Sequence, residues 1–287
     1  MPIDREKALG AEIPGDVFSW DDDDIILYNL AVGAGRPPTD PGELRYAYEG
    51  DLHAVPSYGA IPPFGVMMGF GDVDGLDVNL AQILHGEQEL VVHGPIPVSG
   101  SVAQTGRVAH IYDKGKGALA VIETVSTLEK TGEPLFTNRS SIFIRGEGGF
   151  GGDSGPAAGN DPPDRGADHV VESPTLPQQA LLYRLASGDR NPLHADPGFA
   201  AFAGYEKPIL HGLCTYGIVA KAVVDHGLGG DPEKLSAYKA RFTGHVFPGE
   251  TLVTRIWDEG DRLTVTAETV ERGATVLANA AVEKRPG

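Results

Sequence analysis

Residues 187 to 196 read SGDRNPLHAD and carry an aspartate, an asparagine and a histidine on one short stretch. Asp189 and His194 are five positions apart, and Pro192 stiffens the chain between them. A carboxylate and an imidazole that are one water molecule apart can bind that water and move its proton. Asn191 cannot titrate, but its amide can orient a neighbour or donate to a substrate oxygen. The stretch predicts either acid–base chemistry or a solvated polar turn.

An internal repeat helps to choose between these two interpretations. LYNLAVG at 27–33 and LYRLASG at 182–188 match at five of seven positions with an offset of 155. Asp-Pro-Gly then follows in both copies, at 40–42 and 196–198. Each half of the chain is therefore expected to hold one copy of the same structural unit.

The first copy lacks the polar residues of the second. At the same offset, Asp189, Asn191 and His194 correspond to Ala34, Arg36 and Thr39. Because the first copy turns without the polar residues, a turn alone does not require them. The comparison favours chemistry in the second copy only.

The second half of the chain predicts an α+β unit. A short helix ends at Gly188 and presents Leu181, Leu182 and Leu185 on one face, and residues 212–227 show helical apolar spacing. Residues 263–268 alternate between apolar and polar side chains, as a half-buried strand does. One long helix before antiparallel strands is typical of a curved sheet wrapped around a helix. The predicted strands are 236–244, 250–257, 261–270 and 275–283.

The first half repeats this order more weakly. Its first helix begins near Ser19 and Trp20 and continues through four aspartates at 21–24. These aspartates could bind a metal ion, but carboxylates in the first turn of a helix also stabilise its free N–H groups. The predicted strands are 87–93, 101–112, 117–129 and 135–145. Residues 148–172, rich in glycine, proline and aspartate, predict a linker between an N-terminal unit, 1–147, and a C-terminal unit, 173–287.

Composition restricts the partners and the compartment. The formal charge of −17 argues against nucleic acid and against anionic membranes. Cys214 is the single cysteine, so the chain can form neither an internal disulfide nor a cysteine-based zinc site. No apolar run reaches the ~20 residues of a membrane helix, and neither end resembles a targeting signal. We expect a cytoplasmic protein.

Other kinds of catalytic site are poorly supported by the motifs. A metal site at Asp189 and His194 lacks further ligands at a recognisable spacing. Ser187 is not part of a G-x-S-x-G nucleophile elbow. The glycine-rich residues 145–152 follow a strand, but no Gly-Lys-Ser/Thr follows them, as a phosphate loop requires.

The motifs resemble a known family. GDRNPLH at 188–194, followed by KPILHGLCT at 207–215, is similar to the signature of MaoC-like dehydratases, and most similar to the eukaryotic-type (R)-specific enoyl-CoA hydratase 2 subgroup. Further segments resemble that subgroup in the same order along the chain, which makes the set specific. They are LHGEQ (84–88), DKGKG (113–117), GGFGG (148–152), KARF (239–242) and FPGET (247–251).

This resemblance implies a double hotdog fold, with a long helix wrapped by an antiparallel sheet in each unit. It implies a hydro-lyase of fatty acid β-oxidation that adds water reversibly to trans-2-enoyl-CoA and gives (3R)-3-hydroxyacyl-CoA. Asp189 and His194 are the catalytic pair of the family, and Asn191 takes a supporting position. The substrate contacts implied by the resemblance are His85, Gly86, Lys114, Arg190, Pro192, Leu193, Gly212 and Phe242.

Gly212 also has a physical interpretation. It is expected to begin the long helix, and free N–H groups at a helix start can polarise a thioester carbonyl. The glycine could instead only ease the turn after His211, which we expect to be structural. Lys114 could be a local counter-charge to the CoA phosphates or belong to a solvated turn. Phe242 lies on a predicted strand and is expected to serve both the core and the ligand wall.

Two other functions remain open at this stage. A hotdog thioesterase would cleave the thioester, and a non-catalytic scaffold subunit would only bind acyl-CoA. The expected partners are an acyl-CoA substrate and a second copy of the chain in a homodimer. We expect no nucleic acid or membrane partner, no metal and no separate cofactor, since CoA is part of the substrate.

Overall fold

The computed structural model of the protein describes residues 3–78, 83–157 and 159–286. Ala158, in the predicted linker, lies outside them. The chain forms two compact units that are both discontinuous in sequence. Unit 1 comprises Met1–Ser19, Gly59–His93 and Ser101–Gly159; unit 2 comprises Trp20–Tyr58, Gly94–Gly100 and Asn160–Gly287. The predicted boundaries at 147 and 173 follow the sequence repeat, whereas Trp20–Tyr58 of the first half groups with unit 2.

The helices and strands are numbered in chain order. The helices are α1 (Arg5–Ala8), α2 (Asp22–Ala31), α3 (Pro41–Leu44), α4 (Phe64–Met68), α5 (Gln179–Ser187), α6 (Pro197–Phe202) and α7 (Gly212–Ala222). The strands are β1 (Glu12–Trp20), β2 (Ile83–Val92), β3 (Gly100–Asp113), β4 (Gly117–Leu128), β5 (Pro134–Arg145), β6 (His169–Pro174), β7 (Leu235–Phe242), β8 (Thr251–Asp258), β9 (Arg262–Thr269) and β10 (Thr275–Lys284).

Unit 1 is built on strands β1 to β5, which neighbour one another in the order β1-β3-β4-β5-β2. The pairs β3–β4, β4–β5 and β2–β5 are antiparallel. Inward-facing residues such as Val108, Ile122 and Ile142 form its core with Val66 and Phe70. The four strands predicted for this half are confirmed. Among the described residues of this unit, α4 has only five residues between Pro63 and Gly69, so the helix here is shorter than the long helix expected.

Unit 2 contains the long helix and a second antiparallel sheet, in the order β7-β10-β9-β8-β6. Helix α7 is buried from Cys214 to Ala222 and continues as one π-helical turn over Val223–Gly227. Gly217 lets this helix approach its neighbours closely, because a Cβ at that position would lie 2.5 Å from Val32 Cγ1. The α+β class and the helix predicted over 212–227 are confirmed.

Two strands were not predicted, and one helix face was predicted wrongly. Strand β6 lies partly in the predicted linker and pairs with β8, and its mostly exposed residues give no apolar alternation. Strand β1 contains Pro14 and Gly15, which argue against a strand in a sequence. In α5, Leu181 and Leu185 are 50% and 54% exposed, whereas Ala180 and Tyr183 form the buried face.

The acidic start of α2 is a capping motif. Asp21 accepts a hydrogen bond from the backbone N–H of Asp24 at 3.2 Å, and Asp24 accepts one from that of Asp21 at 3.1 Å. This reciprocal pair satisfies two of the free N–H groups at the helix start. The interpretation of the aspartates as helix-stabilising is confirmed. Among the described residues, no helix has the length and apolar character needed to cross a membrane.

Candidate active site

Helix α5 leads directly into the predicted catalytic loop. Gly188 ends the helix in the left-handed region, at φ 73°, where a residue with a Cβ is strained. The backbone N–H of Asp189 then donates to the Ser187 hydroxyl at 3.2 Å. The predicted helix end at Gly188 is confirmed, and it fixes the direction in which Asp189 leaves the helix.

Two side chains fold the loop onto itself. Asp189 Oδ1 accepts a hydrogen bond from the backbone N–H of Asn191 at 2.9 Å. Asn191 Oδ1 accepts one from that of Leu193 at 3.0 Å and so caps the 3₁₀ turn Pro192–His194. Arg190 and Asn191 are exposed. Asn191 therefore shapes the turn that carries His194, and its predicted contact with substrate stays a prediction.

His194 is buried and held in one orientation. Its Nδ1 lies 2.8 Å from the carbonyl oxygen of Ile209. Because a carbonyl oxygen can only accept, Nδ1 carries the proton and Nε2 of the neutral ring is an acceptor. Burial lowers the pKa of His194 below its usual value, against smaller opposing contributions of the Ile209 carbonyl and Asp189. The ring is therefore neutral at pH 7, with a free basic nitrogen.

The structure brings a third residue, His211, into contact with this pair. His211 is 2% exposed, and its ring stacks on that of His194 with centroids 3.7 Å apart. Its Nε2 lies 4.0 Å from Asp189 Oδ2. The sequence analysis expected His211 to be structural; the residue comes from a different loop than Asp189 and His194. Its one sequence signal was its position directly before the start of α7.

Gly212 begins α7, as predicted. The backbone N–H groups of Gly212 and Leu213 make no hydrogen bond with any residue that the structure describes, and Gly212 is exposed. Such N–H groups at the positive end of an 11-residue helix can bind an oxyanion. A Cβ at Gly212 would lie 3.3 Å from the ring of Phe242, at the end of β7. The two residues are neighbours, and Phe242 is only partly buried.

His85 and Gly86, the predicted substrate contacts on β2, lie at an irregularity of the sheet. The pairing with β5 shifts between His85 and Glu87. A Cβ at Gly86 would lie 3.4 Å from the Ser141 carbonyl oxygen. Such bulges re-aim side chains and are frequent beside active sites. Both residues belong to unit 1.

Lys114 lies on an exposed hairpin of unit 1, next to the glycine-rich loop. The backbone N–H groups of Gly149 and Gly151 donate to the Asp113 carboxylate at 2.9 and 2.6 Å. These donors lower the pKa of Asp113. The loop therefore binds the chain's own carboxylate, which agrees with its poor match to a phosphate loop. Lys114 Nζ donates to the Ser154 carbonyl.

Asp189, His194 and His211 could in principle hold a metal ion. One side-chain ligand atom of each lies within 4.8 Å of the others, and two imidazoles with a carboxylate are a known metal-binding set. The rings, however, stack with centroids 3.7 Å apart and an interplanar angle of 26°, so their lone pairs lie in two separate, nearly parallel planes. A metal needs lone pairs that converge at ~2.0–2.1 Å, whereas a water at ~2.8 Å tolerates a larger deviation. The arrangement fits a water better.

Comparisons with known proteins identify the family of the chain. Residues 18–146 match the MFE-2 hydratase 2 N-terminal domain, and residues 159–280 match the MaoC like domain. The chain is 44% identical to enoyl-CoA hydratase ChsH3 of Mycobacterium tuberculosis, over 96% of this chain and 97% of that protein. It is 38% identical to the peroxisomal enoyl-CoA hydratase 2 of Arabidopsis thaliana, over 96% and 94%.

Solved structures show the same fold. A MaoC-like dehydratase from Phytophthora capsici superposes with a TM-score of 0.84 and 30% identity, over 99% of this chain and 100% of that one. A more distant Mycobacterium tuberculosis protein with a double hotdog fold has a TM-score of 0.57 at 13% identity, over 98% and 97%. The predicted double hotdog fold is confirmed.

Proposed function

Since the chain belongs to the MaoC-like enoyl-CoA hydratase 2 family, we propose that it is an (R)-specific 2-enoyl-CoA hydratase. It adds water reversibly to trans-2-enoyl-CoA and forms (3R)-3-hydroxyacyl-CoA. The relatives named enoyl-CoA hydratase match along nearly the whole chain, which supports a hydro-lyase. The observation that carries the proposal is that a ligand atom of Asp189 lies within 4.8 Å of one of His194, whose neutral ring keeps Nε2 as an acceptor.

The reaction needs one water and no net proton. Asp189 Oδ2 and His194 Nε2 both accept hydrogen bonds, so together they can hold a water through its two hydrogens. The water oxygen forms a bond to the β-carbon, the pair removes one proton, and a proton is returned to the α-carbon on the same face. A general acid–base group of this kind typically raises the rate of the catalysed step by roughly 10²–10⁴-fold.

The thioester oxygen gains negative charge while the water adds. We propose that the Gly212 N–H donates to this oxygen, because it is unpaired among the described residues and exposed at the helix start. A donor of this type contributes on the order of 3 kcal/mol to the barrier. His85, Gly86, Lys114, Arg190, Pro192, Leu193 and Phe242 are proposed to contact the acyl-CoA, on the strength of the family motifs they occupy.

An activity panel on the unmodified protein tests the proposal. Crotonyl-CoA and longer enoyl-CoAs are incubated with the protein, and loss of the conjugated-thioester absorbance is followed alongside free thiol. We expect the absorbance to fall without thiol release and chiral analysis to show the 3R product. Release of CoA thiol would show a thioesterase instead, and binding without turnover would show a scaffold subunit.

We further propose that the enzyme needs no metal or separate cofactor. The reaction is an addition of water without oxidation, and the stacked histidines suit a water. Dialysis against EDTA is expected to leave turnover unchanged, and a loss restored by one divalent ion would contradict this.

The assembly and the compartment are also proposals. We propose a cytoplasmic homodimer that acts in fatty acyl-CoA β-oxidation; one relative is named peroxisomal. Light scattering during gel filtration should give twice the chain mass of 30.2 kDa.

A further inference from the structure

His211 touches both members of the proposed catalytic pair. One face of its ring stacks on His194 at 3.7 Å between centroids, and Tyr183 lies 5.0 Å away. Its Nε2 is 4.0 Å from Asp189 Oδ2. The ring is thus fixed by packing, with a nitrogen facing the carboxylate that is proposed to hold the water.

Neither ring nitrogen of His211 makes a well-formed hydrogen bond with the described part of the chain. His211 is nevertheless 2% exposed. A buried donor without a partner costs about 1–3 kcal/mol, and buried polar groups that lack protein partners are usually bonded to water. A bound water beside the ring would satisfy this donor.

The same position suits Asp189 and His194. One side-chain ligand atom of each of the three residues lies within 4.8 Å of the other two. For three atoms at such separations, some point always lies within about 2.8 Å of all of them, which is a normal hydrogen-bond length. A single water at that point would lie within hydrogen-bond distance of all three side chains.

The donors and acceptors assign a distinct role to each side chain. Asp189 Oδ2 and His194 Nε2 are acceptors and use both hydrogens of the water. The water oxygen keeps two lone pairs, of which only one can attack the β-carbon. The other is free to accept a hydrogen bond, and a neutral His211 has one N–H to give.

We propose that His211 is a third catalytic residue, whose Nε2–H donates to the reacting water and aims its second lone pair at the β-carbon. This role rests on the proposed hydratase function. Burial, together with the adjacent His194, lowers the pKa of His211 to about 2, although the nearby Asp189 carbonyl partly opposes this. His211 therefore stays neutral and orients the water without taking its proton.

The protonation states of the histidines provide the first test. In the wild-type protein with ¹⁵N-labelled histidine, two-bond ¹H–¹⁵N spectra report which ring nitrogen carries the hydrogen. We expect Nε2–H for His211 and Nδ1–H for His194 at pH 7. An Nδ1–H form of His211 would overturn the proposal, and this measurement does not depend on any variant folding.

Two substitutions provide the second test. His211→Phe keeps an aromatic ring for stacking but has no N–H, so kcat for crotonyl-CoA hydration should fall at least about tenfold with little change in KM. His211→Gln places an amide N–H near the Nε2 position and should recover several-fold of that loss. His110→Phe, at an exposed position of β3, is the matched control.

The outcomes separate the two proposals. If the wild-type protein hydrates none of the enoyl-CoAs of the panel, the hydratase function fails whatever the variants do. If wild type is active and His211→Phe is equally active, or His211→Gln recovers nothing, only the role of His211 is refuted. A purely structural role predicts equal losses in both variants together with equal falls in Tm.

Discussion

The two copies of the repeated segment end their helices in the same way. Gly33 after α2 and Gly188 after α5 both adopt positive φ, 95° and 73°. Tyr28 and Tyr183, which occupy the same position of the repeat, lie with ring centroids 6.1 Å apart within unit 2. The shared residues of the two copies therefore form the scaffold, as the sequence comparison predicted.

The loops after these glycines differ in how they use a carboxylate. In the first copy, Glu43 accepts from the backbone N–H of Gly35 at 2.9 Å with one oxygen and pairs with Lys221 Nζ at 2.7 Å through the other. In the second copy, Asp189 uses only Oδ1 to bond the loop backbone. Both carboxylate oxygens of Glu43 thus form structural contacts, whereas Oδ2 of Asp189 remains available for the proposed reaction.

Both loops also end at an aspartate that caps the following helix. Asp40 caps α3 by accepting from the N–H of Gly42 at 2.8 Å, and Asp196 caps α6 by accepting from that of Gly198 at 2.7 Å. A proline follows each cap at the first helical position. Asp189, Asn191 and His194 therefore lie between two turns that both copies share.

The largest expected effect comes from the residues unique to the second copy. Asp189→Asn and His194→Gln should each lower kcat at least about 100-fold, the share of a general acid–base group. Asparagine can still accept from the Asn191 N–H, so Tm should change little. Steady-state hydration rates and thermal melts check this.

Asp196→Asn is the matched control for these variants. It makes the same change of carboxylate to amide seven positions further along, and asparagine also caps helices. Wild-type kcat in Asp189→Asn, or an equal loss in Asp196→Asn, would refute the assignment.

Removing the Lys221 cation, which pairs with Glu43 of the first copy, should lower the stability of the protein but not its catalytic rate. Lys221→Met leaves Glu43 and Asp225 without their shared partner, which lies 2.7 and 2.8 Å away. Breaking a largely buried pair in this way costs about 3 kcal/mol, so Tm should fall by roughly 6–12 °C. Urea unfolding and kcat per folded molecule are the readouts, with the exposed Lys116→Met as control. A fall in kcat at unchanged stability would contradict the division of roles.

A pH effect on stability is expected from the second copy. Burial lowers the pKa of both His194 and His211 in the folded state from the ordinary 6.5. Below pH 6.5 the unfolded chain therefore binds protons that the folded chain excludes, and stability falls as the pH drops. Each such histidine contributes up to about 1.4 kcal/mol per pH unit within its window.

The contribution of His211 to this pH dependence can be isolated by comparing wild type with a variant that lacks the histidine. Unfolding free energies of wild type and His211→Gln are measured in urea at pH 7 and pH 5. We expect the loss between these pH values to be smaller in the variant, because its residue 211 does not titrate. Identical losses in the two proteins would show that His211 takes up no proton on unfolding.

The smallest effects are expected from replacing the two helix-ending glycines, Gly33 and Gly188, with alanine. A Cβ at Gly33 or at Gly188 meets no atom within 4 Å, so alanine at either position costs only the strain of positive φ, about 1 kcal/mol. Gly188→Ala should also lower kcat several-fold, because it turns Asp189. Gly33→Ala should leave kcat unchanged, and equal rate losses would mean that both loops serve the reaction.

The repeat made part of the site predictable. Asp189 and His194 stood out because the first copy folds the same turn without them. The turns after β4 and β9 are also alike, since Gly132 and Gly273 each donate to the residue four positions earlier, at 2.8 and 2.9 Å. Local periodicity also placed β7 to β10 close to their observed ends.

The rest depended on tertiary packing. His211 joins the site from a separate loop, and no local pattern reports a ring stacked on another. The buried face of α5 runs through Ala180 rather than the leucines, because a small residue allows close packing. Strand β1 requires a glycine at position 15, because a Cβ there would lie 2.6 Å from Gln104, and local sequence does not show this contact.

The central claim is that Asp189 and His194 act on one and the same water. A double-mutant cycle of Asp189→Asn and His194→Gln on enoyl-CoA hydration tests it most directly, because groups that serve a single event are not additive. We expect the double variant to be little slower than the slower single variant. If the two losses multiply, the side chains act independently and the shared-water account is wrong.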